Sequence, residues 1–338
     1  MREKREPVLV LCDEEEEYAH LMSDYLRAHR ELPWGVHTYT SAEKMMQGEA
    51  GCQIDLMVVA ERSYREQMDK LHPVRTIILT ECGLSGWENF EYVDKYQQAQ
   101  HVLQRILEIY IEIADTGYMP VMHSGETCFV GIYSPVRRCF QTTFALAMSQ
   151  MLAEKKRTLY LNFEHFCGIS ELAAEVGARD LADLLYFLMA DKEKFMLRLQ
   201  AMVQHKGSLD YIPPMKSGQN LLTVSAQEWE QLLKKIADLN LYQYVILDLS
   251  ESMQGLFDIL RFCTVVFTLT KEDRIAQGKL DEYERILQAY AYEDVVQKTR
   301  KYLIPQVRKI PNTLDQYTKG ELADFIRKII IELEGDDR

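Results

Sequence analysis

Short apolar segments of strand length alternate with amphipathic segments of helix length along almost the whole chain, and this alternation limits the fold more than any other feature. Val8–Cys12 is a continuous apolar run, and residues 13–29 then repeat apolar side chains at spacings of three and four. That periodicity is typical of a helix with one buried face. Apolar strands that alternate with such helices favour parallel sheets with both faces covered. We therefore predict an α/β fold.

The alternation stops at a segment rich in turn-forming residues and then restarts. Residues 115–126 contain Gly117, Pro120 and Gly125, which favour turns and loops. A chain of 338 residues is long enough for two domains, each with its own core. We predict two doubly wound α/β domains, at residues 1–115 and 127–338, joined by a linker at residues 116–126. Each domain should have a separate, mostly parallel sheet.

The individual elements follow from the same two periodicities. Strands are predicted at residues 8–12, 34–39, 55–60, 76–80, 90–93, 128–134, 158–163, 210–212, 244–249, 265–270 and 302–305. Helices are predicted at residues 13–29, 42–46, 99–114, 142–155, 181–190, 192–205, 226–239, 254–262, 275–291 and 319–334.

Composition excludes several classes of protein. No apolar run approaches the roughly 20 residues of a membrane span. The seven cysteines are scattered without CxxC spacing and the eight histidines have no ligand spacing, so we expect no metal site and no disulfide framework. A reducing cytoplasm fits this cysteine usage best. The net charge of −13 argues against a nonspecific nucleic-acid binder, because phosphate neutralisation needs clustered basic residues.

A strand, a short loop and a helix that opens with two threonines form the frame of a phosphate-binding loop near residue 135. In such a loop glycines let backbone N–H groups surround phosphates, a lysine neutralises them and a hydroxyl holds magnesium. When aligned on the two threonines, the segment resembles the deviant Walker A loop KGGxGKTT of MinD/ParA proteins. Val136 and Gln141 take the places of the two lysines, and Arg137, Arg138 and Phe140 take those of the three glycines. Thr142 and Thr143 match the motif.

Later segments follow at the spacing of the same family. Residues 159–164 stand where MinD/ParA proteins have a strand that ends in Asp-x-Asp, and residues 210–214 resemble a short strand running into proline. Residues 244–249 resemble Walker B, with Asp248 able to reach magnesium through water. The resemblance covers residues 127–335 and implies a P-loop NTPase fold. The degenerate nucleotide pocket that it implies consists of Ser134, Arg137, Arg138, Gln141, Thr142, Thr143, Asn162, Glu164 and Asp248.

The replaced residues weaken the case for ATP and magnesium as cofactors. A side chain at a position that needs φ > 0 is strained, and Phe140 adds bulk where phosphate would lie. Gln141 brings no charge. Arg137 and Arg138 either bind an anion or are solvated loop residues. Asp248 is either a magnesium ligand or a structural hydrogen-bond acceptor. We expect no catalytic residue.

The first domain resembles a response-regulator receiver with an incomplete active constellation. Asp13 and Glu14 match its acidic pair, Thr80 its hydroxyl and Lys95 its lysine. The phosphoacceptor position falls on Ala60, and a shift by one residue would place Glu61 there. We therefore predict no phosphotransfer. The run of acidic residues from Asp13 is equally explained as a favourable first turn of a helix.

A receiver-like domain ahead of a divergent MinD/ParA domain resembles the TadZ/CpaE family of Tad/Flp pilus assembly. This resemblance implies a cytoplasmic assembly or localisation factor, a homodimer and protein partners in a pilus or secretion machine, which would recruit it to the membrane or cell pole. A ParA-like ATPase that uses Arg137 or Arg138, and a signalling adaptor that acts through the receiver-like domain, stay as alternatives. The amphipathic residues 322–333 either pack on the domain or lie on a membrane.

Overall fold

The structure is a computed structural model that describes residues 5–29, 32–81, 90–114, 125–172, 179–305 and 313–336. It has two sheets, one of five strands and one of seven. All strand pairs are parallel apart from one hairpin at the edge of the larger sheet. The predicted α/β class with parallel sheets is confirmed.

The first sheet is entirely parallel. Its strands are β1 (Val8–Cys12), β2 (Gly35–Tyr39), β3 (Leu56–Ala60), β4 (Arg75–Thr80) and β5 (Glu91–Asp94), and the helices between and after them are α1 (Glu16–Ala28), α2 (Ala42–Gly48) and α3 (Ala99–Ile113). The strand order is β2-β1-β3-β4-β5, an order found in doubly wound folds. The apolar residues that identified β1 and β3 in the sequence are buried, apart from Val8, which is partly buried.

The second sheet places β6 near its middle. Its strands are β6 (Cys128–Ile132), β7 (Thr158–Asn162), β8 (Gln204–Lys206), β9 (Leu209–Tyr211), β10 (Tyr244–Asp248), β11 (Val265–Thr270) and β12 (Thr299–Leu303). Their order is β12-β11-β6-β10-β7-β9-β8. The helices from here to the end of the described chain are α4 (Gln141–Ala153), α5 (Leu181–Ala190), α6 (Phe195–Met202), α7 (Gln219–Thr223), α8 (Ala226–Leu239), α9 (Leu256–Phe262), α10 (Arg274–Ala289), α11 (Glu293–Lys298) and α12 (Glu321–Asp336).

The chain divides into two compact units. The first comprises residues 1–121 and 191–201, and the second comprises residues 122–190 and 202–338. Within the first unit, Lys194 Nζ donates a hydrogen bond to the carbonyl oxygen of Ile111 in α3 at 2.6 Å. Most of the predicted linker lies outside the described residues, so the boundary at residues 116–126 stays a prediction.

Several predicted elements have different bounds in the structure, and two of these differences have a clear physical reason. The helix predicted at residues 192–205 ends at Met202, and Gln204 already belongs to β8. Gly207, with φ of +62°, forms the turn of the β8–β9 hairpin, and the polar residues before it gave no strand signal. The strand predicted at residues 302–305 begins at Thr299. Its charged residues concealed it, as is common for strands at a sheet edge.

The C-terminal helix α12 packs on the second unit. Ala323, Ile326, Ile329 and Leu333 are buried in the same core as β6, β7, β10, β11 and α4. The amphipathic face predicted at residues 322–333 is therefore used for packing, as the first of its two interpretations requires. Among the described residues, no helix combines the length and the apolar character needed to cross a membrane.

Helix α8 provides a test of local stability in the second unit. Ser225 caps its N-terminus: the Ser225 hydroxyl accepts from the Glu228 N–H at 3.3 Å, while the Glu228 carboxylate accepts from the Ser225 N–H at 2.9 Å. We expect Ser225→Ala to lower the free energy of unfolding by about 1 kcal/mol, because the Glu228 N–H loses its side-chain acceptor. Urea unfolding followed by circular dichroism measures this. Glu230→Ala, which removes only an exposed ion pair on the same helix, should cost less than about 0.5 kcal/mol, and equal losses would contradict the capping role.

Candidate functional site

The carboxyl ends of three adjacent strands meet at one edge of the second sheet. In the sheet register, Asp248 at the end of β10 lies between Ile132 of β6 and Asn162 of β7. The loop of residues 133–140 leaves β6 at this edge and leads into α4. In open α/β sheets, ligands bind outside the carboxyl ends of the strands, so this edge is the candidate site.

The loop has the backbone of a glycine-rich turn without glycine. Arg137, Arg138 and Phe140 have φ angles of +59°, +50° and +60°. Left-handed conformation costs an L-residue roughly 1–2 kcal/mol. The loop is fixed at its start by Ser134, whose hydroxyl donates to the Leu269 carbonyl at 2.5 Å and accepts from the Val136 N–H at 3.2 Å. The surrounding contacts therefore hold the backbone in a left-handed conformation at three positions where glycine would adopt it at less cost.

Val136 does not face the loop's concave side. It is buried and packs against Ala276 and Leu280 of α10. Lys279 Nζ lies 3.5 Å from the Val136 carbonyl oxygen. The first residue of the loop motif therefore anchors the loop to α10.

The side chain of Gln141 is tied to the floor of the site. Its Oε1 accepts from the Ser134 N–H at 2.8 Å. Its Nε2 donates to Asp248 Oδ1 at 2.7 Å and to the Leu249 carbonyl at 2.8 Å. Both amide hydrogens are used in these two bonds. The amide therefore links the loop to β10 and does not extend toward the space above the loop.

The carboxylate of Asp248 is fully buried and saturated with donors. Its Oδ2 accepts from the Tyr160 hydroxyl at 3.0 Å and lies 3.2 Å from Asn162 Nδ2. Burial raises its pKa, and hydrogen bonds from Gln141, Thr142 and Tyr160 act in the opposite direction. Asp248 thus accepts hydrogen bonds that tie β10 to β7 and to the N-terminus of α4.

Tyr160 was not among the predicted site residues. It lies two residues before Asn162, on the same face of β7 because side chains alternate along a strand, and Asn162 Nδ2 also donates to its hydroxyl at 2.9 Å. This alternation along the strand is the sequence signal that could have identified Tyr160 as a site residue. Of the two matching threonines, Thr142 acts to lower the pKa of Asp248, whereas Thr143 acts on the pKa of Tyr317.

Glu164 lies just after β7, where it faces the site. Its N–H donates to Asn162 Oδ1 at 3.0 Å, and its Oε1 is 3.4 Å from Gln141 Nε2. Burial raises the pKa of Glu164 to about 7, the Asp248 charge adds to the rise, and Arg137 opposes it.

These residues surround a pocket of about 540 Å³. Arg137 forms an ion pair with Glu251 from the loop after β10. Arg138 also lines the pocket, and no bond of its side chain is found in the described part of the chain. Two aromatic rings, Phe140 and Phe166, are 39 % and 84 % exposed beside the pocket.

The residues in place do not fit a magnesium nucleotide. Gln141 supplies no positive charge, and both oxygens of Asp248 already have protein donors. Across the described ranges, no group of three or more His, Cys, Asp or Glu side chains has the geometry to hold a metal ion.

In the first unit, the residues that resemble a receiver site are bonded to each other. Lys95 is buried, with its Nζ 2.7 Å from both Asp13 Oδ2 and Glu15 Oε2. Burial alone would lower the pKa of Lys95, but its bonds to these two carboxylates raise it. Glu14 pairs instead with Arg65 at 3.1 Å.

The remaining receiver-like residues do not join this cluster. Thr80 Oγ1 donates to the Val93 carbonyl at 3.4 Å. Glu61 begins a 3-10 turn after β3, where Ala60 is the last strand residue. Glu15, which the sequence analysis did not single out, takes part through its place two residues after Asp13. The structure therefore brings Asp13 and Lys95 together, gives Glu14 and Thr80 other partners, and places Glu61 at the start of a 3-10 turn.

Comparison with known proteins gives structural similarities only. No protein-family model matches the sequence, and no curated protein matches it. Among solved structures, the chain is similar to a ParA family ATPase from Chlorobium tepidum TLS, with 18% identity and a TM-score of 0.43 over 57% of this chain and 80% of that one. A plasmid partition protein from Borrelia burgdorferi has 12% identity and a TM-score of 0.42, over 62% and 99% of the two chains. McdA from Cyanothece has 13% identity and a TM-score of 0.41, over 56% of this chain and 79% of that one. At these TM-scores the similarities do not indicate a function. The proposal for function therefore rests on the geometry of the site.

Lys95 provides a test of the cluster in the first unit. We expect Lys95→Met to lower the free energy of unfolding by about 3 kcal/mol, because Asp13 would be left as a buried charge without its cation. Urea unfolding measures the loss. Lys70→Met, at an exposed lysine of the same unit, is the matched control and should stay within about 0.5 kcal/mol of wild type. Equal stability of the two variants would show that Lys95 is not the structural cation of this cluster.

Glu164 makes stability depend on pH. Because its pKa is raised from 4.5 to about 7 by folding, its protonated form favours the folded state, and that stability is lost as pH rises from about 4.5 through about 7. At about 1.4 kcal/mol per pKa unit, the loss is at most roughly 3 kcal/mol. We expect Glu164→Gln to unfold at a higher temperature than wild type at pH 8 and at a similar temperature at pH 4.5. Glu154→Gln, at an exposed residue after α4, should follow the wild-type profile. Parallel profiles for wild type and Glu164→Gln would contradict the prediction.

Proposed function

We propose that this chain is a non-hydrolysing assembly or localisation factor of the kind that the TadZ/CpaE resemblance implies. In this proposal, the pocket at the position of a nucleotide site has a structural role. The observation that carries the proposal is the bonding of Gln141. At the position where a phosphate loop has its lysine, this chain has a neutral amide whose two hydrogens are already donated to Asp248 and Leu249.

Electrostatics explain why this pocket would not retain ATP. The triphosphate brings several negative charges, and the floor of the pocket offers a neutral amide together with Asp248 and Glu164. Leaving a buried charge without its partner commonly costs about 3–5 kcal/mol, or two to four decades in affinity. Phe140 adds bulk and backbone strain beside the same loop.

Magnesium has no ready ligand in the pocket. Each oxygen of Asp248 accepts a hydrogen bond at 3.0 Å or less, from Gln141 or from Tyr160. Coordination of a cation would require these bonds to break inside a fully buried cluster. We infer that hydrolysis, which depends on the metal, is absent.

A fold kept without its chemistry is best explained by binding to other proteins. We propose that the chain acts as a homodimer that joins protein partners of a pilus or secretion machine, with recruitment to the membrane or cell pole through those partners. The internal bonding of Lys95 with Asp13 and Glu15 supports a first domain that docks partners without phosphotransfer.

Thermal unfolding with millimolar ATP and magnesium tests the absence of nucleotide binding. A ligand at 100 times its dissociation constant stabilises a fold by about 2.7 kcal/mol, so binding would be readily visible. We expect no shift, and a dimer that persists in nucleotide-free buffer when its mass is measured by light scattering. A shift that Asp248→Ala abolishes would show a working magnesium–nucleotide site and would overturn the proposal.

A ParA-like ATPase that uses Arg138 is the second candidate. The observation in its favour is that Arg138 lines the pocket and its side chain has no bond to any described residue. In the same assay, a shift abolished by Arg138→Ala and kept by Arg274→Ala would favour this candidate. The second variant removes an exposed arginine of α10 and controls for the loss of charge.

A further inference from the structure

We propose that the pocket at the carboxyl edge of the second sheet binds a guanidinium or primary ammonium group, held by the Glu164 carboxylate and by the exposed rings of Phe140 and Phe166. The inference goes beyond the proposed function and needs only the geometry of the pocket.

The floor of the pocket carries more negative than positive charge. Asp248 is fully buried, and its charge acts on Glu164. The one described cation that acts on Glu164 is Arg137. Arg137 is paired with Glu251, and its side chain is 67 % exposed, so solvent screens it. Arg138 lines the pocket too. With Asp248 beneath Glu164 and with Glu251 in the lining, three carboxylates face two arginines. A cationic ligand would therefore balance the remaining negative charge.

Glu164 also lacks a good hydrogen-bond donor. Gln141 Nε2 approaches it to only 3.4 Å and gives its two hydrogens to closer acceptors at 2.7 and 2.8 Å. A partly buried carboxylate without donors loses solvation that nothing replaces. A guanidinium group carries five N–H donors in a planar fork that matches a carboxylate. Its binding would supply the missing bonds together with the charge.

The two phenylalanines give the pocket faces that suit a cation. Phe166 is 84 % exposed and Phe140 is 39 % exposed, and both line the pocket. A cation over an aromatic face gains about 0.5–1 kcal/mol at an exposed site. The pocket volume of about 540 Å³ is within the range of small-ligand sites. An anion would have only Arg137 and Arg138 to bind, and Arg137 is already paired with Glu251.

Such a group can come from a free amine or from an arginine side chain of a protein partner. Agmatine and N-acetylarginine amide are the two probes, since the second presents the guanidinium as it occurs in a peptide. Binding of agmatine alone would assign a free amine as the ligand. Binding of both would assign an arginine side chain as a suitable ligand.

The experiment is a titration of the full chain with each probe at pH 8 and low salt, followed by NMR or calorimetry. We expect saturable binding that weakens about ten-fold in Glu164→Gln and about three-fold in Phe166→Ala. Glu282→Gln, at an exposed carboxylate of α10, should bind like wild type. Glu164→Gln is expected to fold at least as stably as wild type at this pH, so loss of binding would not reflect unfolding.

Three outcomes would overturn the inference. They are no binding of either probe, equal binding by wild type and Glu164→Gln, and binding of inorganic pyrophosphate in place of both amines. The proposed function fails separately, through an ATP shift that depends on Asp248, so the two failures are distinguishable.

Discussion

The hydrogen bond between the Gln141 amide and the Asp248 carboxylate is the interaction on which the second unit's functional edge depends. Asp248 is a fully buried charge at the end of a central strand, and a buried carboxylate is tolerated only when its oxygens have donors. Gln141 supplies one of these donors from the loop after β6, and Tyr160 supplies another from β7. The same set of bonds therefore satisfies the charge and fixes the loop against two neighbouring strands.

The first unit also contains a buried charge, but there the charge is neutralised by ion pairs. Lys95 is buried, and its charge is balanced by Asp13 and Glu15 at 2.7 Å each. In both units, polar side chains that a ligand or phosphoryl group would otherwise contact are bonded to the protein itself. Breaking one partner of such a cluster leaves an unpaired buried charge. In each unit, these bonds satisfy a buried charge within the protein.

The loop of residues 133–140 has the backbone conformation of a glycine-rich loop although it contains no glycine. Arg137, Arg138 and Phe140 adopt left-handed conformations that glycine would adopt at less cost. Packing of Val136 on α10 and the bonds of Ser134 and Gln141 hold both ends of the segment. The strain is therefore maintained by contacts on either side, and it leaves the side chains of Arg138 and Phe140 at the pocket.

The sequence by itself determined the α/β class and most strand and helix positions, and it placed Gln141, Asn162 and Asp248 at one sheet edge but missed Tyr160. Helices α5 and α8 and strand β11 begin and end at the predicted residues, because local apolar periodicity specifies them. Only the tertiary structure decided how the edge residues bond. Gln141 and Asp248 are 107 residues apart, and no local pattern indicates that the amide bonds to the floor of the site or that Glu15 joins Lys95. Those choices depend on which side chains long-range packing brings within hydrogen-bond distance in a buried environment, where every charge must find a partner.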